Sequence, residues 1–279
     1  MQTKAEIICD SLAPSGIRLT TFVVTFPRFI LPEFNTHRVF SRNASSSRAI
    51  PVSKHIEMVK NTPFIPISFN KNSKGMQGGE ALSAEDQQKA EAVWLKARDA
   101  AVKQAEIMVA LGIAKQYANR ILEPYSWTKV IVTSTDWDNF FGLRIHGDAQ
   151  PEIHALAAKM YDAYYSTNPT KLESGQWHLP FITEMDGIEN PFEPMDFFIK
   201  RSVARCARAS YLNHDGTKST PEQDLQLYDR LLAGNPIHAS PAEHQAMAIG
   251  DATARSGNFH GWIQYRKTLT NENITNYGR

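Results

Sequence analysis

The chain has 279 residues, of which 42% are apolar and 21% charged, an ordinary globular balance that can bury a full core as one large domain or two small ones. A formal net charge of +1 excludes a global field for anions, so any anion binding must come from local arginines, and non-specific nucleic-acid binding would need a denser basic stripe. Two cysteines, Cys9 and Cys206, no 18-residue apolar run and no basic-then-apolar leader exclude a disulfide framework and a membrane span, and predict a cytoplasmic protein.

In chain order, residues 3–10 and 17–26 are β-branched and aromatic, separated by a Pro/Ser/Gly turn, and predict paired strands ended by Pro27. A polar run follows at 36–48. Residues 70–80 are rich in Gly and Lys and predict a flexible loop. Ser83 with Asp86 three residues on marks the start of a long helix, with Ala90, Val93, Trp94, Ala97, Ala101, Ala105, Met108 and Leu111 as its apolar stripe. Gly112 and Pro124 bracket a short helix, and 125–133 predicts a strand.

Helices are expected at 136–146, where Trp137, Phe140 and Leu143 share a face, and at 151–164 with Ile153, Leu156, Ala157 and Met160. Residues 165–193 carry Pro, Gly and Asn and predict a long connection, after which a helix resumes at 194–211. Thr220-Pro221-Glu222-Gln223 predicts a capping box, and Ser240-Pro241-Ala242-Glu243 repeats it. The expectation is an α/β (α+β) fold, an antiparallel sheet flanked by long helices, in a single domain over 1–279. Neither Gly-x-Gly-x-x-Gly nor a Walker sequence is present, so a Rossmann fold and a P-loop are not supported.

The run Thr36-His37-Arg38-Val39-Phe40-Ser41-Arg42-Asn43-Ala44-Ser45-Ser46-Ser47-Arg48 gathers three guanidiniums, an imidazole, an amide and several hydroxyls. Arg38, Arg42 and Arg48 offer planar forks for phosphate oxygens or ring carbonyls, with His37, Ser46 and Ser47 as further donors. The same run is also consistent with a solvated loop after a strand. Arg144 sits beside Phe140 and Phe141, as an arginine snorkelling at a core edge or as an anion clamp. Arg120 near a helix end is favoured by the helix dipole alone. Arg205 and Arg208 say little. His238 and His244 straddle Glu243, but the spacing is not His-Glu-x-x-His and no third ligand is evident, so no metal is expected.

Together these pieces resemble the flavin-dependent thymidylate synthases of the ThyX type. That family is marked by R-H-R-x-x-S-x-N-x-x-S-x-R, and this chain reads T-H-R-V-F-S-R-N-A-S-S-S-R, agreeing at every fixed position but the first. TFVVTFPRFI looks like the strand leading into the motif. NRILEP resembles the family's arginine before a Leu-Pro step, with Glu123 in place of leucine, and NFFGLR with AQPEI resembles its arginine helix, placing Asn139, Arg144 and Gln150. The family's A-R-V-S and H-x-S-P-F-E-H segments precede its signature, whereas here ARAS at 207–210 and HASPAEH at 238–244 follow it. The order looks like a circular permutation, tolerable where chain ends lie close at the surface.

The resemblance implies an enzyme that binds FAD, takes its reducing equivalents from NADPH and moves a one-carbon unit from methylenetetrahydrofolate to C5 of dUMP. By carry-over His37, Arg38, Asn139, Ser210, His238, Ser240 and Glu243 would contact FAD. Ser46, Ser47, Arg48, Arg120 and Arg144 would hold dUMP, with Arg144, Ser46 and Arg48 nearest the chemistry. Ser46 has no adjacent base in the sequence, so its role is binding. Homotetramers with shared sites are implied as well, with no membrane or nucleic-acid partner.

Four departures from the pattern stand out: Thr36, Ala44, the pair Thr133 and Thr135, and Asp148. Ala44 and Asp148 motivate, as an alternative, flavin-dependent C5 modification of another pyrimidine nucleotide. A non-catalytic nucleotide- or RNA-binding protein on the same scaffold is the third reading. Arg266 and Glu272 in the C-terminal tail, which echoes part of the signature, are candidates to replace the missing groups.

Overall fold

The structure is a computed structural model that describes residues 1–74, 78–208, 219–232, 234 and 237–272. Strands β1 (Lys4–Leu12) and β2 (Arg18–Pro27) pair antiparallel, joined by a turn in which Gly16 takes φ +79°, a conformation open to a residue without Cβ. After α1 (Leu31–Phe34), the signature itself enters the sheet as β3 (Ser41–Ala44). Helices α2 (Val52–Asn61), α3 (Ala84–Ala110) and α4 (Lys115–Ala118) lead through a 3₁₀ turn at Arg120–Tyr125 into β4 (Trp127–Ser134). Then come α5 (Asp138–Arg144) and α6 (Pro151–Ser166). The stretch expected as a connection holds β5 (Thr170–Lys171), β6 (Trp177–His178) and α7 (Glu184–Glu189). Helices α8 (Met195–Ala207) and α9 (Pro221–Leu232) follow, then a 3₁₀ turn at Ser240–Glu243. Last come β7 (Ala246–Ala248), β8 (Arg255–Ser256), β9 (Phe259–His260) and β10 (Trp262–Gln264).

The main sheet has the order β3-β4-β2-β1-β5, antiparallel except for β1 with β5. Helices flank this mixed sheet, as the α+β expectation requires. Alternation along β2 and β4 divides the molecule. Phe22, Val24, Phe26, Val130 and Val132 face α5 and α6, packing on Phe140, Phe141, Ile153, Leu156 and Met160. The opposite face meets the C-terminal third: Leu19 packs on Ala246, Ala248, Phe259 and Trp262, and Ile131 on Cys206.

That second interface is polar at its centre. His178 Nε2 lies 2.8 Å from Thr21 Oγ1, which lies 2.7 Å from Thr133 Oγ1, itself 2.8 Å from His244 Nδ1. Burial holds both imidazoles neutral, each pushed down to about 3, with His178 adding to the effect on His244. Farther out, Arg201, Arg205 and Arg208 converge on buried Asp224, and Arg201 and Arg205 also reach Asp186, which fixes α8 against α9.

Several expectations are refined here. Ser83 does cap α3, its hydroxyl accepting from the Asp86 amide at 3.2 Å, but the stripe is rotated. Val102 and Ala105 are buried, whereas Val93 and Leu111 are 67% and 71% exposed, because only the face toward α2 and the 120–125 turn is covered. Thr220 and Gln223 form the expected reciprocal cap. Ser240 does not cap: the turn begins at Ala239 without a side-chain bond. The loop expected at 70–80 falls partly on 75–77, outside the described residues, and its flanks are tied by Lys71 and Gly79. No described helix is long and apolar enough to cross a membrane.

Candidate functional site

The 36–48 run divides into two places. Its first half folds back on α5. Phe140 and Phe141 bury into the core while Asn139 and Leu143 stay exposed, so Leu143 does not share the buried face expected of it. Thr36, His37, Arg38, Val39 and Phe40 with Asp136, Asn139, Leu143 and Arg144 line a cavity of about 170 Å³. Arg144 Nε donates to His37 Nε2 at 3.0 Å, and its Nη2 lies 3.3 Å from Thr36 Oγ1. The imidazole must accept at Nε2, so its proton sits on Nδ1. Burial, with the nearby Arg144 and Arg42 charges, lowers His37 to about 4 and keeps it a neutral acceptor. Its ring stacks on Phe40 and meets Phe140 edge-on with centroids 4.9 Å apart. Arg38 is exposed and makes no hydrogen bond or ion pair to a described residue.

Arg42 does not belong to this set of free donors. Its Nη1 is taken by the carbonyls of His37 (2.7 Å) and Asn35 (3.1 Å), a structural role that closes the turn. Pairing with β4 directs Ser41 and Asn43 to the sheet face that meets the C-terminal third. The carbonyls of Arg42 and Ser240 both face the Asn43 amide, which therefore presents Nδ2 to them at 3.0 and 3.2 Å; His244 Nε2 lies 3.3 Å away. Gln264 Nε2 donates to Ser41 Oγ at 3.2 Å and to the Glu243 carbonyl at 3.0 Å. Residues of HASPAEH thus sit against the signature strand.

The second half of the run lies beyond β3, against the 120–125 turn. Ser47 is buried and donates to Glu123 Oε1 at 2.5 Å; Arg28 Nε lies 3.1 Å from the same oxygen. Arg120 Nη1 is 3.8 Å from Glu123 Oε2, with its side chain 60% exposed. Asn119 Nδ2 donates to the carbonyls of Ser47 (2.7 Å) and Ile50 (2.8 Å). Arg48 is exposed and unpaired among the described residues, and Ser46 is half-buried.

The sequence-predicted residues therefore segregate. Arg38, His37, Asn139 and Arg144 share one cavity, whereas Ser46, Ser47, Arg48 and Arg120 share one corner on the far side of β3. His238 and Ser240 are exposed, while Glu243 is bonded to Arg266, which also reaches Glu272 at 3.3 Å. Arg266 is thus engaged by two carboxylates. Ser210 lies outside the described residues. His244 is spent on Thr133 and Asn43, and no cluster able to hold a metal occurs among the described residues. A larger groove of about 590 Å³ between α5 and α6, lined by Phe141, Ile145, Tyr161 and Tyr165, holds none of the predicted residues.

Residues that the sequence did not single out also build these sites. Arg28, Asn119 and Asp136 hold or line them, while Thr133, one of the departures from the family pattern, is a buried link between Thr21 and His244. The only sequence signal for Arg28 was its place directly after the strand-ending Pro27.

A family profile described as thymidylate synthase complementing protein (Thy1) matches residues 18–170. Among solved structures, a UMP/dUMP methylase PolB from Streptomyces cacaoi bound with 5-Br UMP is 16% identical, over 59% of this chain and 89% of that one, with a TM-score of 0.49. Flavin-dependent thymidylate synthase ThyX from Helicobacter pylori, complexed with FAD and dUMP, is 20% identical over 52% and 67%, with a TM-score of 0.37. No curated protein matches the chain.

Proposed function

This chain belongs to the thymidylate synthase complementing protein (Thy1) family, and on that premise we propose that it is an FAD-dependent enzyme that modifies a pyrimidine nucleotide at C5. The reaction favoured is one-carbon transfer from methylenetetrahydrofolate to dUMP, giving dTMP, with NADPH as reductant. The observation that carries this reading is the cavity in which the signature's His37 and Arg38 meet Asn139 and Arg144 of α5.

The donor chemistry there fits a flavin. Arg38 has an uncommitted guanidinium, Asn139 an exposed amide, and Arg144 retains nitrogen donors beyond those bound to His37 and Thr36. These would hold ring carbonyls and phosphate oxygens. When bound, the flavin supplies the hydride that completes the methyl group. Arg144 is aimed by the neutral His37 and by Thr36, and its positive charge stabilises negative charge developing on a uracil ring. His37, kept neutral at Nε2, orients that arginine without adding a competing charge. Burial of His37 and the ring of Phe40, Phe140 and Phe34 excludes water behind the guanidinium.

Contact of Asn43 with Ser240 and His244 supports reading 238–244 as the family's displaced segment, and hence a permuted order. Separation of the cavity from the Arg48 corner supports a shared site, completed when a second copy brings its corner to this cavity. Apolar residues left exposed along α3 and beyond it, Val93, Leu111, Ile113 and Tyr117, offer a face for such association. The altered positions Ala44 and Asp148 support C5 modification of another pyrimidine nucleotide as the second reading.

The test is NADPH oxidation by FAD-loaded protein with methylenetetrahydrofolate and either dUMP or dCMP, with products identified by mass. Methylated dUMP supports the first reading, a modified dCMP the second. A protein that takes up no FAD contradicts both and leaves the non-catalytic binding protein.

A further inference from the structure

The corner around Ser46–Arg48 carries a fixed carboxylate among its cations. Glu123 accepts the Ser47 hydroxyl at 2.5 Å and pairs with Arg28 at 3.1 Å through one oxygen, while its other oxygen lies 3.8 Å from Arg120. Arg28 is a wall residue, only 15% exposed, and its Nη1 donates to the Ser45 carbonyl at 2.8 Å. Asn119, next to Arg120 in the chain, ties that loop to the Arg48 turn through the Ser47 and Ile50 carbonyls. Lys115 Nζ lies 3.5 Å from the Ala49 carbonyl on the same side. Arg48 and Arg120 are the exposed guanidiniums left to a ligand.

We infer that Glu123 is a specificity-determining residue that restricts this corner to a single phosphate group, admitting a pyrimidine nucleoside monophosphate and disfavouring the di- and triphosphates. The inference rests on the reading of the corner as the place where the nucleotide's phosphate binds. Guanidiniums alone bind more tightly with each phosphate added, because every phosphate brings further negative charge and acceptor oxygens. Glu123 opposes that trend. Ser47 and Arg28 hold its carboxylate in place, and it is mostly shielded from solvent, so it cannot swing away and is weakly screened. The first phosphate gains both exposed guanidiniums, whereas a second and third meet the carboxylate and find the other described cations of the corner already engaged, Arg28 by Glu123 and the Ser45 carbonyl and Lys115 by the Ala49 carbonyl. One like charge several ångströms away in a partly exposed corner changes affinity by on the order of tenfold.

The experiment is calorimetric titration of dUMP, dUDP and dUTP into the full chain supplied with FAD, for the wild type, Glu123→Gln and Glu123→Asp. Glutamine keeps the size and the acceptor for Ser47 but removes the charge; aspartate keeps the charge. The wild type and Glu123→Asp are expected to bind dUMP on the order of tenfold more tightly than dUTP, and Glu123→Gln to bind dUTP at least as tightly as dUMP. The double variant Arg28→Gln with Glu123→Gln, which leaves no buried charge unpaired, must show the same loss of preference and serves if the single variant does not fold. A preference unchanged in these variants, or absent from the wild type, overturns the role of Glu123 alone. A wild type that binds none of the three nucleotides overturns the phosphate-site reading and the inference with it.

Discussion

The two halves of the 36–48 run are held by opposite physics. At the Arg144 cavity the key contact is between a cation and a neutral imidazole, inside a shell of Phe34, Phe40 and Phe140. At the Arg48 corner the key contacts are ionic, with Glu123 shared among Ser47, Arg28 and Arg120. The first arrangement orients one charge by desolvation. The second balances several charges near solvent. A polar run that looks uniform along the chain therefore yields one site set by burial and one set by charge count.

The strongest way to break this contrast is at Arg144. Arg144→Ala is expected to lower kcat/KM by about 10²–10³-fold, as loss of a positioned donor to developing charge does, while the melting temperature stays within a few degrees. A small effect on turnover would place the chemistry elsewhere. Next is the aromatic shell. Phe140→Ala removes a ring that is 1% exposed and is expected to cost about 3–5 kcal/mol in urea unfolding, since both transfer energy and a cavity are involved.

Acid titration sharpens the comparison further. His37 is depressed to about 4 and His178 and His244 to about 3, so the unfolded chain binds protons that the folded chain refuses between the ordinary imidazole range and those values. Stability is therefore full above about pH 6.5 and falls as the pH drops toward 4, by up to about 3 kcal/mol for His37 alone. His37→Gln should make the pH 4–7 stability profile measured by urea unfolding less steep, leaving the slope due to His178 and His244; an unchanged profile would mean that the imidazole is not buried neutral. The smallest effect is expected far from both sites. Ser83→Ala removes the cap of α3 and should cost about 1 kcal/mol in the same assay, with nucleotide affinity untouched.

Much of the scaffold was legible because local pattern and tertiary context agree. The β-branched stretches become β1, β2 and β4, and Ser83 and Thr220 mark real helix starts. The pattern failed where distant partners decide. Ser41–Ala44 is polar and gave no strand signal, yet it is an edge strand because β4 supplies its ladder. Arg42 has the same chemistry as Arg38, and only the turn carbonyls around it show that its Nη1 is committed to closing the turn. His244 drew attention as a ligand, but its partners Thr133 and Asn43 lie 111 and 201 positions away. Glu123 showed only as a substitution for leucine, since Ser47, its closest partner, is 76 positions distant.

The central claim is that the Thr36–Arg144 cavity is where a flavin meets a pyrimidine nucleotide. Its most direct test is the visible absorbance of the protein dialysed with FAD, recorded for the wild type and Arg38→Ala before and after adding dUMP. The account predicts a protein-bound flavin spectrum that dUMP perturbs in the wild type, and weak flavin retention in Arg38→Ala. A wild type that emerges colourless, or a flavin spectrum indifferent to both dUMP and the Arg38 change, would contradict it.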